Sequence, residues 1–212
     1  MTTFPNSPRL LKGAIVSLKP TGSLGQVIVF QYNPDMLTRT VTARMIGGEG
    51  DKGEPLRFKG PPEESIKLEV EIDAADQLEQ AQAPVVSLGL YPAMAALEAL
   101  LYPDSALMIA NDKLLSVGCK EIIPPEAPLT LFVWGPKRVL PVRLGSLSIT
   151  EEAFDPTLNP IRAKVSLDLK VLSYQELGLS SLGGSIYMAY QVAKEALARA
   201  GGAASLPFKL NL

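Results

Sequence analysis

The residues with the most chemical potential are two groups of carboxylates, Glu63-Glu64 and Glu151, Glu152 with Asp155. Paired carboxylates serve glycoside hydrolysis, and clustered oxygens hold a hard cation. Solvated charge or a turn-bracing side chain is the blander reading and the favoured one, because surface carboxylates are common. Lys137, Arg138 and Arg143 have the charge to meet phosphate or an acidic partner, and Trp134 has a ring face for a sugar or a base. Cations just past a Gly135-Pro136 turn are more often simply solvated. A Trp closing an apolar strand more often caps a core. The glycines between Gly47 and Pro62 form no phosphate cradle, because no Gly-Lys-Ser/Thr follows them.

Two scarcities narrow the field further. The 212 residues include no histidine and one cysteine, Cys119. Histidine is the commonest general base and metal ligand, so Ser-His-Asp and Cys-His catalysis are impossible within the chain. A single cysteine permits neither an internal disulfide nor a Cys-based zinc site. Beside Val117 and Gly118 it reads as a small buried hydrophobe. No catalytic residue, metal or cofactor is expected. Twenty Lys and Arg against 22 Asp and Glu leave a net charge of -2, which carries no whole-chain signature for nucleic acid or a membrane surface. Apolar runs such as Val85–Leu90 and Met94–Leu101 are too short to span a bilayer, and the N-terminus lacks a secretory pattern. The expectation is a chain made and folded in the cytoplasm.

The elements that would position these residues are mainly strands. Leu11–Lys19 and Gln26–Tyr32 read as a hairpin around Thr21–Gly25, and Asn33-Pro34 stops the second strand. Leu37–Met45 reads as a third strand, and Gly47–Pro62 as a long loop, functional or mobile. Ser65–Asp73 alternates Ile66, Leu68, Val70 and Ile72 with Lys67, Glu69 and Glu71, so one face is core. Ala74–Ala83 favours a helix that Pro84 ends or interrupts, and Pro92–Leu101 a second helix. Ser105–Pro128 has no clear assignment. Leu129–Trp134 is a strand closed by a turn at Gly135–Arg138. Val139–Phe154 changes its apolar phase from even to odd numbers, which requires a bulge near Gly145-Ser146. Asp155–Pro160 turns into a last strand, Arg162–Leu172. Leu177–Gly184 reads as linker. Ser185–Ala200 reads as an amphipathic helix capped by Ser185, with Ile186, Ala189, Tyr190, Ala193, Leu197 and Ala200 on its apolar face. Such a helix is too small to fold alone and must dock on its own body or a partner.

The fold class is therefore mainly β with flanking helices (α+β), an antiparallel barrel or sandwich followed by a C-terminal helix. Residues 1–174 form the barrel and 175–212 the linker, helix and tail. The mixed charges on the two alternating strands suit a barrel wall lining water or a polar ring interface, and equally a sandwich with a wet face.

Several segments in this order resemble the tube-domain family of contractile injection systems, the phage-tail-like particles. They are Phe30-Gln31-Tyr32-Asn33-Pro34, the loop and strand from Pro61-Pro62 to Asp73, Pro128 to Trp134-Gly135, Gly145-Ser146-Leu147 to Phe154-Asp155, and the return Pro160-Ile161-Arg162-Ala163-Lys164-Val165. The resemblance covers about residues 10 to 173. It implies a tube-type barrel assembled as a hexameric ring, a non-enzymatic baseplate hub or adapter. Its implied partners are the inner tube, the spike and baseplate wedge proteins, with no nucleic acid and no membrane insertion. Phe30, Tyr32, Asn33, Pro34, Pro61, Pro62, Trp134, Gly135, Phe154, Asp155, Pro160 and Arg162 are the implied structural or interface positions. The residues after Tyr174 are too few and too helical for the LysM-like module that many adapters carry. A tube initiator of the same machine, a stand-alone ligand-binding barrel and a histidine-free hydrolase are the alternatives.

Overall fold

The computed structural model describes residues 11–19, 22–46, 57–80, 83–116 and 127–201. Seven strands form one antiparallel sheet: β1 Ala14–Leu18, β2 Leu24–Val29, β3 Leu37–Thr42, β4 Glu63–Asp73, β5 Leu129–Val133, β6 Val139–Phe154 and β7 Pro160–Val171. Their order across the sheet is β2-β1-β5-β6-β7-β4-β3. The two hairpins expected from the turn residues, β1–β2 and β6–β7, are both present.

Strand alternation builds the core. On β4, Ile66, Leu68 and Val70 are buried while Lys67, Glu69 and Glu71 face water. Their partners across the ladder are Leu169, Leu167 and Val165 of β7. Each apolar side chain of this size contributes about 1.5–3 kcal/mol when fully buried. Phe132, Leu140 and Ile15 continue the same layer through β5, β6 and β1. The phase change in β6 is resolved as expected. Leu144 pairs with Leu169, Ser146 with Asp168 and Leu147 with Leu167, so Gly145 is the extra residue of a bulge. Without it, Leu140 and Leu147 could not share one face.

The sheet cannot be flat. β2 and β3 lie at its opposite edges, yet only residues 30–36 join them. Six inter-strand steps in a flat sheet put those edges about 29 Å apart. A fully extended connection of this length barely reaches that far. The sheet therefore curls, and a side chain fastens the curl. The Gln31 amide donates to the Asp73 carbonyl at 2.7 Å, and its oxygen accepts from the Asp73 N–H at 3.0 Å. A single side chain thus imitates one rung of a strand ladder across the gap.

The helices are α1 Ala75–Glu79, α2 Ala83–Leu88, α3 Tyr91–Glu98, α4 Ser105–Ser116, α5 Tyr174–Leu177 and α6 Leu182–Gly201. Several sequence expectations need correction here. Pro84 lies in the opening turn of α2 rather than ending a helix, a place where its missing N–H costs nothing. The unassigned stretch after Ser105 begins as helix α4. α6 starts at Leu182, not Ser185, because the Ser181 hydroxyl accepts the Gly184 N–H at 3.0 Å and caps it there. Its buried side is also rotated from the expected stripe. Tyr187 and Tyr190 enter the core, while Ala189, Ala193 and Leu197 stay exposed. Aromatic area outweighs alanine methyls in deciding which face docks. α6 packs on its own body, where Tyr187 meets Tyr174 edge to face at 5.9 Å.

Candidate functional site

The carboxylates do not converge. Glu63 and Glu64 are consecutive on β4 and so point to opposite faces: Glu63 is exposed and Glu64 is buried. Glu152 pairs with Lys164 at 2.9 Å, and Asp155 braces the β6–β7 turn. Among the described residues no group of three or more His, Cys, Asp or Glu could hold a metal ion. Lys137 is exposed on its turn, and Arg143 is exposed on β6. Trp134 stacks on Phe132 with ring centroids 5.8 Å apart, so it caps the core as its ordinary reading holds. Cys119 and most of the Gly47–Pro62 loop lie outside the described residues.

What the residues build instead is a clamped sheet margin beside a polar groove. Asn33 is its first latch. Its side-chain oxygen accepts the Gly13 N–H at 2.9 Å, and its amide donates to the Leu11 carbonyl at 2.8 Å. Proline at position 34 holds Asn33 in the extended region. Phe30 is buried in the core beside Gly13, while Tyr32 and Pro34 look onto the groove. The groove, about 1120 Å³, runs over the wet face of β4, β7 and β6. Its charges are of mixed sign, and Lys67 pairs with Asp168 there at 3.4 Å.

The second latch ties the end of β4 to the start of β7. Arg162 reaches the Asp73 carboxylate at 2.8 Å. That carboxylate also accepts the Ala75 N–H, the largest influence holding its pKa below the ordinary value against partial burial, with Arg162 adding to it. Asp155 is more strongly affected. It accepts the Asn159 N–H, which outweighs burial, then bonds from the Asn159 amide and from Thr157; its pKa is lowered from 3.8 to about 2. The loop is thus a carboxylate-centred turn that fixes how β6 passes into β7.

Both edges of the sheet present apolar or β-branched side chains to solvent. On β2, Leu24 is 64% exposed and Val29 54%. On β3, every residue from Thr38 to Thr42 is exposed.

A sequence profile of contractile injection system tube proteins matches residues 14–177. The chain belongs to the contractile injection system tube-protein family. No curated protein matches it significantly. As a member of this family it is a structural component of a phage-tail-like injection system, and the family is not one of enzymes. None of the helices among the described residues is long and apolar enough to cross a membrane.

The remaining interface candidates of this tube-family chain are scattered rather than gathered. Pro61 is buried and Pro62 half-buried at the entry to β4. Gly135 adopts φ 74° in the β5–β6 turn, a conformation that favours glycine. Phe154 is about half exposed at the far end of β6, and Pro160 is buried opposite it. One constellation escaped the sequence reading altogether. Glu64 is buried on the core side of β4, with Arg39 of β3 at 3.3 Å and Lys194 of α6 at 3.6 Å. Lys194 also sits over the Tyr190 ring at 4.6 Å, and Arg39 donates to the Tyr190 hydroxyl at 3.1 Å. The contact to Arg39 is ionic, without hydrogen-bond geometry at that carboxylate oxygen. The signal was a charge at an even position, in phase with Ile66, Leu68 and Val70.

Proposed function

We propose that this chain is the hub or adapter subunit of its injection system, forming a hexameric ring that joins the inner tube to the spike. The observation that carries this reading is the unpaired β2 edge. Leu24, Val27 and Val29 are 64%, 47% and 54% exposed beside a row of backbone groups that pair with no described strand on that side. An isolated protein is exposed to indiscriminate pairing along such an edge, whereas a ring covers it with the next copy. The contact is heterologous, so each copy gives one surface and receives another.

The part of the chain beyond the tube match supports the adapter role over that of an ordinary tube subunit. α6 lies against the body and offers the ring a surface that the barrel alone lacks. A joint between unlike parts needs two unlike faces. In this reading the latches at Asn33 and Arg162, with Trp134 and Gly135 between them, hold the shape that the ring repeats. Phe154, Tyr32, Pro34, Pro61 and Pro62 are its contact positions, and the inner tube, spike and wedge proteins are its partners.

Co-expression with the sheath, tube and spike genes, followed by reconstruction of the purified particle, tests this. The expected result is six copies in one layer between tube and spike. Copies repeated along the whole tube make the chain a tube subunit, and a particle complete without it removes the proposal.

A further inference from the structure

Helix α4 stands clear of the body. Of its residues Ser105–Ser116, only Asn111 is even partly buried. Leu107, Met108, Leu114 and Leu115 are each 47–53% exposed. A helix this short gains too little from its own hydrogen bonds to persist bare in water. Its apolar residues are also sorted around the axis. At about 100° per residue, Leu114, Leu107, Leu115 and Met108 fall within about 120° of arc, and Asp112 borders them on the Met108 side. Ile109 and Lys113 lie on the opposite face.

A hollow of about 410 Å³ opens beside the end of β1 and the start of β5. Leu18, Leu100, Leu129, Leu172 and Leu177 line it, each only part-buried. Lys19 and Arg143 are exposed at its rim, and neither forms an ion pair with a described residue. No residue of α4 lines the hollow, although only residues 101–104 separate Leu100 from the helix. Pro103 and the Asp104 cap set how α4 departs: the Asp104 carboxylate accepts the Ala106 N–H at 2.8 Å. Within one chain the apolar stripe and the apolar hollow therefore stay apart, both uncovered.

We infer that α4 of one copy inserts its apolar stripe into the hollow of the next copy of this chain, with Asp112 meeting Lys19 and Arg143 at the rim. Charge complementarity selects this occupant. The rim carries two cations, the stripe is bordered by an acid, and the lysine of α4 is turned to the far face. Opposite charges facing each other fix the register of the contact, while burial of the leucines on both sides supplies its driving force. Donor and acceptor lie on different parts of the chain, so the contact runs head to tail, and a ring repeats it until it closes. The inference rests on the ring reading in needing a neighbouring copy. It requires neither six copies nor the β2 edge.

Crosslinking in the co-expressed particle tests it, with Cys119→Ser throughout. One version of the chain carries Leu115→Cys in α4, and a second, differently tagged, carries Leu177→Cys in the hollow. Circular dichroism and Trp134 fluorescence check that both fold. A short bismaleimide should join the two versions to each other and neither version to itself. Lys19→Glu with Arg143→Glu should lower that yield about tenfold, and adding Asp112→Lys should restore it. Neighbouring copies that touch in the reconstruction but never crosslink overturn the inference and leave the ring reading standing. Copies that do not touch remove both. A crosslink confined within single chains that carry both cysteines assigns α4 to its own hollow and overturns the second-copy assignment. A yield indifferent to the charge reversals overturns it as well.

Discussion

Glu64 shows how much one side chain can organise. Its carboxylate is 1% exposed and is the point where β3, β4 and α6 are tied together. Removing the charge leaves Arg39 and Lys194, both partly wet, to be rescued by water rather than stranded. Glu64→Gln should therefore cost about 1–3 kcal/mol in urea unfolding, at the low end for a broken buried pair. It should also speed amide exchange in α6. Asp155 makes a pH prediction. Its folded pKa of about 2 lies below its ordinary value of 3.8, so its contribution is complete above pH 3.8 and fades as pH falls through about 2. The Asn159 and Thr157 amide resonances should titrate with a midpoint near pH 2 rather than near the ordinary 3.8. Asp155→Asn should abolish that dependence. Gly13 makes a third. A Cβ there would lie 2.7 Å from the Trp134 ring and 2.8 Å from Phe30. Gly13→Ala should cost about 1–3 kcal/mol by overpacking and shift the emission of the chain's single Trp.

The long strands were readable residue by residue, because a period of two has only two outcomes and a charge on one face rules out the other. β4, β7 and the bulge at Gly145 follow from that logic. Adjacent residues of β7 should then respond very differently. Leu169 is fully buried, so Leu169→Ala should cost about 2–5 kcal/mol in urea. Lys170 meets Glu176 at 3.4 Å on a half-exposed surface, so Lys170→Ala should cost less than about 1 kcal/mol. Helix α6 was less readable. Its alanines and leucines form a plausible apolar stripe, yet its tyrosines and Lys194 are what find partners on the body. A helix of small apolar residues leaves its rotation undecided until a complementary surface is present. Proline misled for a similar reason. Its effect depends on whether it falls in the first turn of a helix or further in, and the sequence around Pro84 does not mark that turn.

At the scale of the whole molecule, the proposed work of this tube-family protein is done by surfaces that the single chain leaves unpaired. Val29→Lys puts a charge on the β2 edge without touching the core, since the side chain is already 54% exposed. It should leave the unfolding midpoint nearly unchanged and, on the proposed reading, prevent the native chain's ring assembly as followed by light scattering. The sequence by itself determined the antiparallel strands, the bulge, the turns and the want of histidine, because each depends on neighbours in the chain or on composition. Only the tertiary structure decided that Gln31 fastens the curl to Asp73 and that Glu64 gathers Arg39 and Lys194. Those contacts join residues tens of positions apart, and no local period records which distant strand or helix will arrive beside them.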